Sequence, residues 1–260
     1  MSAEPLFRSE GETFIPSGPA RGPWDPNALH GGAPAALLAR AIERVPTLAP
    51  MRVTRMTFDL VGAVPLAPLT VETSVLREGR RLQVVEAELK VDGEVAMRAR
   101  ALRIRTEEIP GIATQTLPPP GPGPAESTPI EAEGYRQENF ATTGMELRFS
   151  SGTFLEAGPA SCWFRLRMPL VDDETPSPLQ RVMAAADFPN GISHVLDFET
   201  HLFINPDLTV HLSREPRGEW VQLSSVSAIE SDGIGLATAT LCDEEGPIGV
   251  AAQSLFVGPR

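Results

Sequence analysis

Lysine is nearly absent from this chain: Lys90 is the only one, and arginine supplies the rest of the 22 basic side chains. A GC-rich bacterial genome accounts for that bias. An excess of base is absent too, since 34 acidic residues leave a net charge of −12. That balance excludes nucleic acid as an expected partner, because phosphate binding needs a basic face. No run of eighteen apolar residues occurs, and the opening Met1-Ser-Ala-Glu-Pro5 has neither the basic nor the apolar region of a signal peptide. The expectation is a soluble, cytoplasmic protein with no membrane partner.

Cysteine is scarce. Cys162 and Cys242 sit in apolar, strand-like runs without a CxxC neighbour, which predicts buried free thiols and excludes a zinc or redox motif. Other signatures are missing as well. There is no GxSxG elbow, and Ser193, His194 and Asp197 stand too close along one predicted strand to converge as a triad. His194, His201 and His211 lack metal-ligand spacing, so no metal is expected. Gly233-Ile-Gly235 is not followed by a helix and is no dinucleotide loop; no cofactor is expected. Trp24, Trp163 and Trp220 read as core anchors.

What the chain does contain is an echo of itself. Pro34-Ala-Ala-Leu-Leu-Ala-Arg-Ala-Ile-Glu43 aligns with Pro178-Leu-Gln-Arg-Val-Met-Ala-Ala-Ala-Asp187. Leu69-Thr-Val is answered by Leu208-Thr-Val, Asp92-Gly-Glu-Val-Ala by Glu245-Gly-Pro-Ile-Gly, and Ala99-Arg-Ala-Leu-Arg-Ile by Ala252-Gln-Ser-Leu-Phe-Val. Four matches in the same order mark a duplicated unit of one helix and a run of strands. Charge is not shared evenly. Residues 1–105 carry 14 bases and 12 acids, net +2, whereas residues 106–260 carry 8 and 22, net −14. An anionic ligand would find most of its arginines in the first half.

The spacing predicts a helix over Ala33–Val45, with proline in its first turn and small or apolar residues on nearly every side, as for a helix wrapped by a sheet. Before it lies an irregular arm with one short strand near Glu12–Ile15. Alternation predicts strands at Leu69–Leu76 and Leu82–Val91, a hairpin turn at Asp92-Gly93, and a return strand at Glu94–Arg105. Pro118-Pro-Pro-Gly-Pro-Gly-Pro124 can be neither helix nor central strand, so 106–134 reads as an extended linker between halves 1–105 and 135–260. The second half repeats the plan: strands Met145–Ser150 and Ser161–Met168, helix Ser177–Phe188, then strands Val195–Ile204, Leu208–Ser213, Trp220–Ile229, Ile234–Cys242 and Ile248–Val257. A helix laid across a curled antiparallel sheet, twice over, is an α+β architecture.

Several stretches carry a family resemblance: His30-Gly31-Gly32 leading into the first helix, Ala184-Ala-Ala-Asp187-Phe-Pro, Asp197 in a strand, and Asp243-Glu-Glu-Gly-Pro-Ile-Gly-Val-Ala-Ala-Gln253-Ser-Leu-Phe-Val. In these, over nearly its whole length, the chain resembles the TesB-like double-hotdog acyl-CoA thioesterases. The resemblance implies a double hotdog, two tandem helix-wrapped antiparallel sheets in one chain. It also implies hydrolysis of a thioester by a water held between an aspartate, a glutamine and a hydroxyl residue. The aspartate falls on Asp187 and the glutamine on Gln253. The hydroxyl residue should stand two positions before Asp197, where this chain has Val195; Ser193 is the nearest substitute. A homo-oligomer is a further implication.

The chemistry is reasonable for those residue types. A carboxylate can act as general base toward water, and a glutamine amide can orient that water by donating and accepting at once. Two glycines before a helix let a ligand approach free backbone amides, so His30, Gly31 and Gly32 are expected to bind the substrate carbonyl. The repeat sets Glu43 opposite Asp187 and Arg100 opposite Gln253, an unlike pair that could form a salt bridge where chemistry has been lost. Arg77, Arg80 and Arg81 could meet CoA phosphates or simply form a solvated hairpin tip. A non-catalytic acyl-CoA or acyl-carrier binding protein is the rival reading. A hotdog hydratase, which wants an Asp/His pair, ranks last because no histidine is close to Asp187 or Glu43 in sequence.

Overall fold

The first helix, α1 (Gly32–Glu43), buries ten of its twelve residues, so it is enclosed on almost every side as its small and apolar residues predicted. Its proline stands in the first turn, where the missing N–H costs nothing. The second helix, α2 (Pro178–Ala185), opens on Ser177, whose hydroxyl accepts the Gln180 N–H at 3.2 Å. It stops sooner than the expected Phe188. Pro189 has no N–H to continue the ladder, and the chain restarts there as the single turn α3 (Pro189–Ile192). The computed structural model describes residues 4–130 and 138–260; the expected boundary between linker and second half, at 134/135, lies outside the described residues.

Around the helices runs one antiparallel sheet. In chain order its strands are β1 (Phe7–Glu10), β2 (Thr13–Pro16), β3 (Met51–Leu60), β4 (Leu69–Arg77), β5 (Leu82–Val91), β6 (Glu94–Arg105), β7 (Thr128–Pro129), β8 (Met145–Ser151), β9 (Ala160–Leu166), β10 (His201–Ile204), β11 (Asp207–Leu212), β12 (Val221–Ile229), β13 (Ile234–Asp243) and β14 (Gly246–Pro259). Their spatial order is β1-β2-β4-β5-β6-β3-β11-β14-β13-β12-β9-β8-β7, with β10 paired to β14 off that path. The two half-sheets meet at β3 and β11, where the Thr209 hydroxyl bonds Thr57 Oγ1 at 3.2 Å.

Strand β3 was not expected. A bulge between Val53 and Arg55 breaks the alternation that would have marked it. In the other direction, the strand expected at Val195–Ile204 is only β10. Ahead of it, Asp197 turns the chain: its carboxylate accepts the Glu199 N–H at 2.7 Å, and its carbonyl accepts the Thr200 and His201 N–H groups. The supposed Glu43–Arg100 salt bridge does not form. Arg100 points outward to Glu86 at 2.8 Å, and Glu43 accepts hydrogen bonds from Ser177 and Gln180. The Arg77–Arg81 tip is exposed and sits by the C-terminal end of α1, where Gln83 donates to the Pro46 carbonyl at 2.8 Å.

The reason for the mismatch is register. The β5–β6 turn closes at Val91↔Glu94 and the β13–β14 turn at Asp243↔Gly246, each with a bulge at the same distance from the turn. Counting from those turns, the counterpart of Gln253 is Ala101, and both are buried. Matching glycine to glycine in the sequence slips the pairing by one residue, which moves every side chain to the other face.

The proline-rich stretch lies against the second half-sheet: Trp163 Nε1 donates to the Pro122 carbonyl at 2.7 Å, and Gly121 N–H to Gln222. Trp163 and Trp220 are buried, whereas Trp24 is half-buried in the arm, between Phe198 and Phe203. Among the described residues, no helix is long and apolar enough to cross a membrane.

Candidate active site

The two helices run side by side in opposite directions, so the end of each meets the start of the other. At one such meeting Asp187, just past α2, is buried against the His30-Gly31 loop that opens α1. Gly31 has ordinary helical angles (φ −57°, ψ −25°), so its backbone does not require glycine; space does. A Cβ there would stand 2.7 Å from Asp187 Oδ2. At Gly32 a Cβ would collide with the Ala184 carbonyl. The glycine pair is what allows the carboxylate to reach the start of the helix.

Asp187 is held by three side chains from three separate segments. Asn205 Nδ2 donates to Oδ1 at 2.9 Å, and Gln253 Nε2 donates to the same oxygen at 3.2 Å. His30 Nδ1 lies 3.1 Å from Oδ2. The same nitrogen is 3.1 Å from the Gly32 N–H, and it cannot accept there while donating to the carboxylate. A bond to a carboxylate is charge-assisted and about twice as strong as a neutral one. Nδ1 serves one partner at a time: unprotonated it accepts the Gly32 N–H, and carrying the proton it donates to Asp187 and releases that amide. The Gly31 N–H makes no hydrogen bond among the described residues. Two amides at the start of a twelve-residue helix, beside a carboxylate edge, can receive a carbonyl oxygen as it gains charge.

Apolar rings enclose the imidazole. His30 stacks on Phe188 with centroids 4.3 Å apart and meets Phe140 at 5.1 Å, while Phe164 backs Phe188 at 4.7 Å.

Of the expected residues, Asp187, Gln253, His30, Gly31 and Gly32 come together. Gln253, however, has both ends of its amide engaged: Oε1 accepts the Asn190 N–H at 3.3 Å while Nε2 faces Asp187. It holds the carboxylate through one of its two N–H groups. Ser193 makes no hydrogen bond to Asp187; its buried hydroxyl donates to the Pro189 carbonyl and is shared with Ser227 at 2.8 Å. Val195 is partly exposed in the turn before β10. The residue that fills the third place is Asn205, which sequence reasoning missed. Its signal was slight: an asparagine between the end of an apolar strand and a proline, Phe203-Ile-Asn-Pro206. Asn205 also donates to the Asp207 carbonyl at 3.2 Å, which fixes its amide.

The thiols are inert. Burial pushes Cys162 far above its ordinary range, and burial with the nearby Asp243 carboxylate pushes Cys242 up to about 11. Among the described residues, no group of three or more His, Cys, Asp or Glu is placed to hold a metal ion.

One continuous sheet around two antiparallel helices, with a polar site at a helix-end junction, defines a double-hotdog protein. Models of the acyl-CoA thioesterase N-terminal and C-terminal domains match residues 20–104 and 116–257. The chain belongs to the acyl-CoA thioesterase family. Solved structures of similar fold include a candidate thioesterase II from Thermobifida fusca YX (TM-score 0.75, 18% identity, covering 96% of this chain and 94% of that one). Also similar are the acyl-CoA thioesterase II TesB2 of Mycobacterium marinum (TM-score 0.66, 18% identity, 99% and 94%) and the tesB protein of Mycobacterium avium subs paratuberculosis (TM-score 0.69, 16% identity, 97% and 96%). At these identities the likeness speaks for the fold. No match is found among curated proteins.

Proposed function

We propose that the protein hydrolyses acyl-CoA to the free acid and CoA, with Asp187 as general base. The observation that carries this reading is a buried carboxylate with Oδ1 pinned by Asn205 and Gln253, leaving Oδ2 beside His30 and the glycine pair that opens α1. Water attacks the thioester carbonyl carbon and passes its proton to Asp187 Oδ2. The carbonyl oxygen, now anionic, is received by the two amides. As the tetrahedral intermediate collapses, the C–S bond breaks and the proton returns from Asp187 to the departing sulfur. His30 orients the carboxylate, and Gln253 and Asn205 are positioning residues. Ser193 has no part in this scheme.

The test is release of free CoA, read by thiol titration, from acyl-CoAs of two to eighteen carbons. The buried cysteines add no background. Asp187→Ala is expected to lower turnover by about two orders of magnitude or more. Turnover untouched by the substitution would remove Asp187 from the mechanism. Binding without turnover at any chain length would make this a non-catalytic acyl-CoA or acyl-carrier binding protein.

A second reading gains from one observation, the His30–Asp187 pair at 3.1 Å between residues far apart in sequence. Such a pair suits a hydratase, which adds water across the double bond of a 2-enoyl thioester: oxygen to C3, a proton to C2. Loss of enoyl-CoA absorbance without CoA release would favour it.

We infer two tandem halves, 1–105 and 135–260, joined by a linker at 106–134, in a cytoplasmic homo-oligomer. The exposed row Ile204, Phe256 and Ile234 across β10, β14 and β13 supports self-association. A monomer by sedimentation would rule that out.

A further inference from the structure

A second basic feature lies on the opposite side of the sheet from Asp187. Where β3 meets β11, a groove of about 720 Å³ opens on the outer face, lined by Arg52, Arg55, Arg105 and His211 with Ile104 and Val250. One registered row, Leu102–Arg55–His211–Val250, crosses its floor from β6 to β14. Val250 and Gln253 are three residues apart on β14 and so face opposite sides of the sheet. The sheet itself separates this groove from the Asp187 site.

The electrostatics of the groove are unusual for a chain of net charge −12. Some arginines elsewhere meet carboxylates, as in Arg98–Glu88, Arg148–Glu146 and Arg214–Asp243, while others such as Arg167 and Arg181 bond backbone carbonyls. Here Glu107 is the only lining carboxylate, and it is paired with Arg105 at 2.6 Å. Arg52 is anchored through Nη2 to the Ser213 carbonyl at 2.5 Å and has no acidic partner among the described residues. Arg55 has none either, and its Nε is a buried donor without an acceptor. An unmet buried donor costs about 1–3 kcal/mol, more when charged, and is met when a ligand supplies the acceptor. His211 stands beside Arg55 across the β3–β11 seam, where its ring can add a donor to a bound anion.

We propose that this seam groove binds an organic phosphate of nucleotide size, with Arg52 and Arg55 on its phosphates and Ile104 and Val250 against its body. Guanidinium forks match phosphate oxygens, and the volume falls within the usual range of about 300–1,000 Å³ for small-molecule sites. Because the groove spans the joint between the half-sheets, an occupant ties the halves together and raises the melting temperature. The proposal does not depend on what reaction Asp187 carries out.

Titration of the full-length protein with a methylanthraniloyl-labelled ADP, followed by anisotropy, tests it. ADP, free CoA and pyrophosphate are expected to displace the probe, and adenosine at equal concentration to leave it bound. Displacement by ADP and CoA alone would show that the body is read as well as the phosphates. Arg55→Ala should weaken binding about tenfold or more, and Val250→Glu should do the same without removing an arginine. Asp187→Asn should leave it unchanged. Absence of binding at millimolar probe, displacement by adenosine as effective as by ADP, or equal affinity in an Arg52→Ala/Arg55→Ala variant would overturn the assignment.

Discussion

The two ends of the helix pair are built alike and equipped differently. At one end Glu43 closes α1 against the start of α2, accepting from Ser177 at 2.7 Å and from Gln180 at 2.8 Å. At the other, Asp187 follows α2 and meets the start of α1, where a histidine and two glycines replace the serine cap. Ser177 turns its hydroxyl to the Gln180 N–H as well as to Glu43, so that helix start is filled by its own side chain. At the other start the Gly31 N–H is unbonded among the described residues, and the Gly32 N–H has only the His30 ring, which Asp187 also claims. One end is a cap; the other leaves amides available beside a carboxylate. At matching positions in the two half-sheets stand Ala101 and Gln253, both buried, and only Gln253 reaches a carboxylate. Duplication supplied the frame, and the proposed chemistry rests on a few polar replacements within it.

Apart from loss of the carboxylate itself, crowding the Asp187 end should have the largest effect. In Gly31→Ala the new methyl must displace Asp187 Oδ2 or the loop, and a shift of about 1 Å in such a site costs on the order of a hundredfold in kcat/KM. Steady-state CoA release checks this, and a melting temperature near wild type separates it from misfolding.

How much of this was legible beforehand depends on distance along the chain. Asp187, Gln253 and the His30-Gly31-Gly32 loop stood out because each lies in a distinctive local run. That His30 touches Asp187 did not, since 157 positions separate them and only the antiparallel helices bring them together. Asn205 was hidden for another reason. Asparagine before Pro206 reads as a turn residue, and nothing local shows that its amide points inward. β3 escaped notice because a bulge breaks its pattern, and the counterpart of Gln253 was misassigned because one turn glycine sits a residue later than the other.

The outer faces of the half-sheets sharpen the contrast. The first carries a charge ladder, Lys90–Glu72, Arg98–Glu88 and Arg100–Glu86, all at 2.6–2.8 Å. The second half exposes Val226, Ile234, Leu236, Val250 and Phe256, and its ion pairs include Glu146 with Arg148 and Arg165 and the fully buried Asp243 with Arg214. Burial alone would raise the Asp243 carboxyl, but Arg214 and the N–H groups of Arg217 and Glu245 outweigh it and hold it below the usual range. Arg214→Met leaves that charge unpaired and should cost about 3–5 kcal/mol, read by urea denaturation. Since the folded carboxyl binds its proton less readily than the unfolded one, its contribution is present above about pH 4 and lost as pH falls through the lower folded value. The variant should therefore show a flatter acid limb. The smallest effect belongs to the ladder: Arg98→Ala, partly exposed, should barely move the urea midpoint, and less still in high salt.

The most direct test sets the two helix ends against each other. CoA release should be measured for wild type, Asp187→Asn and Glu43→Gln under identical conditions, with the substrate range that wild type accepts. The account predicts a loss of about a hundredfold or more in Asp187→Asn and near-wild-type turnover in Glu43→Gln. Equal losses in both, or a loss confined to Glu43→Gln, would contradict the claim that the chemistry resides at the Asp187 end alone.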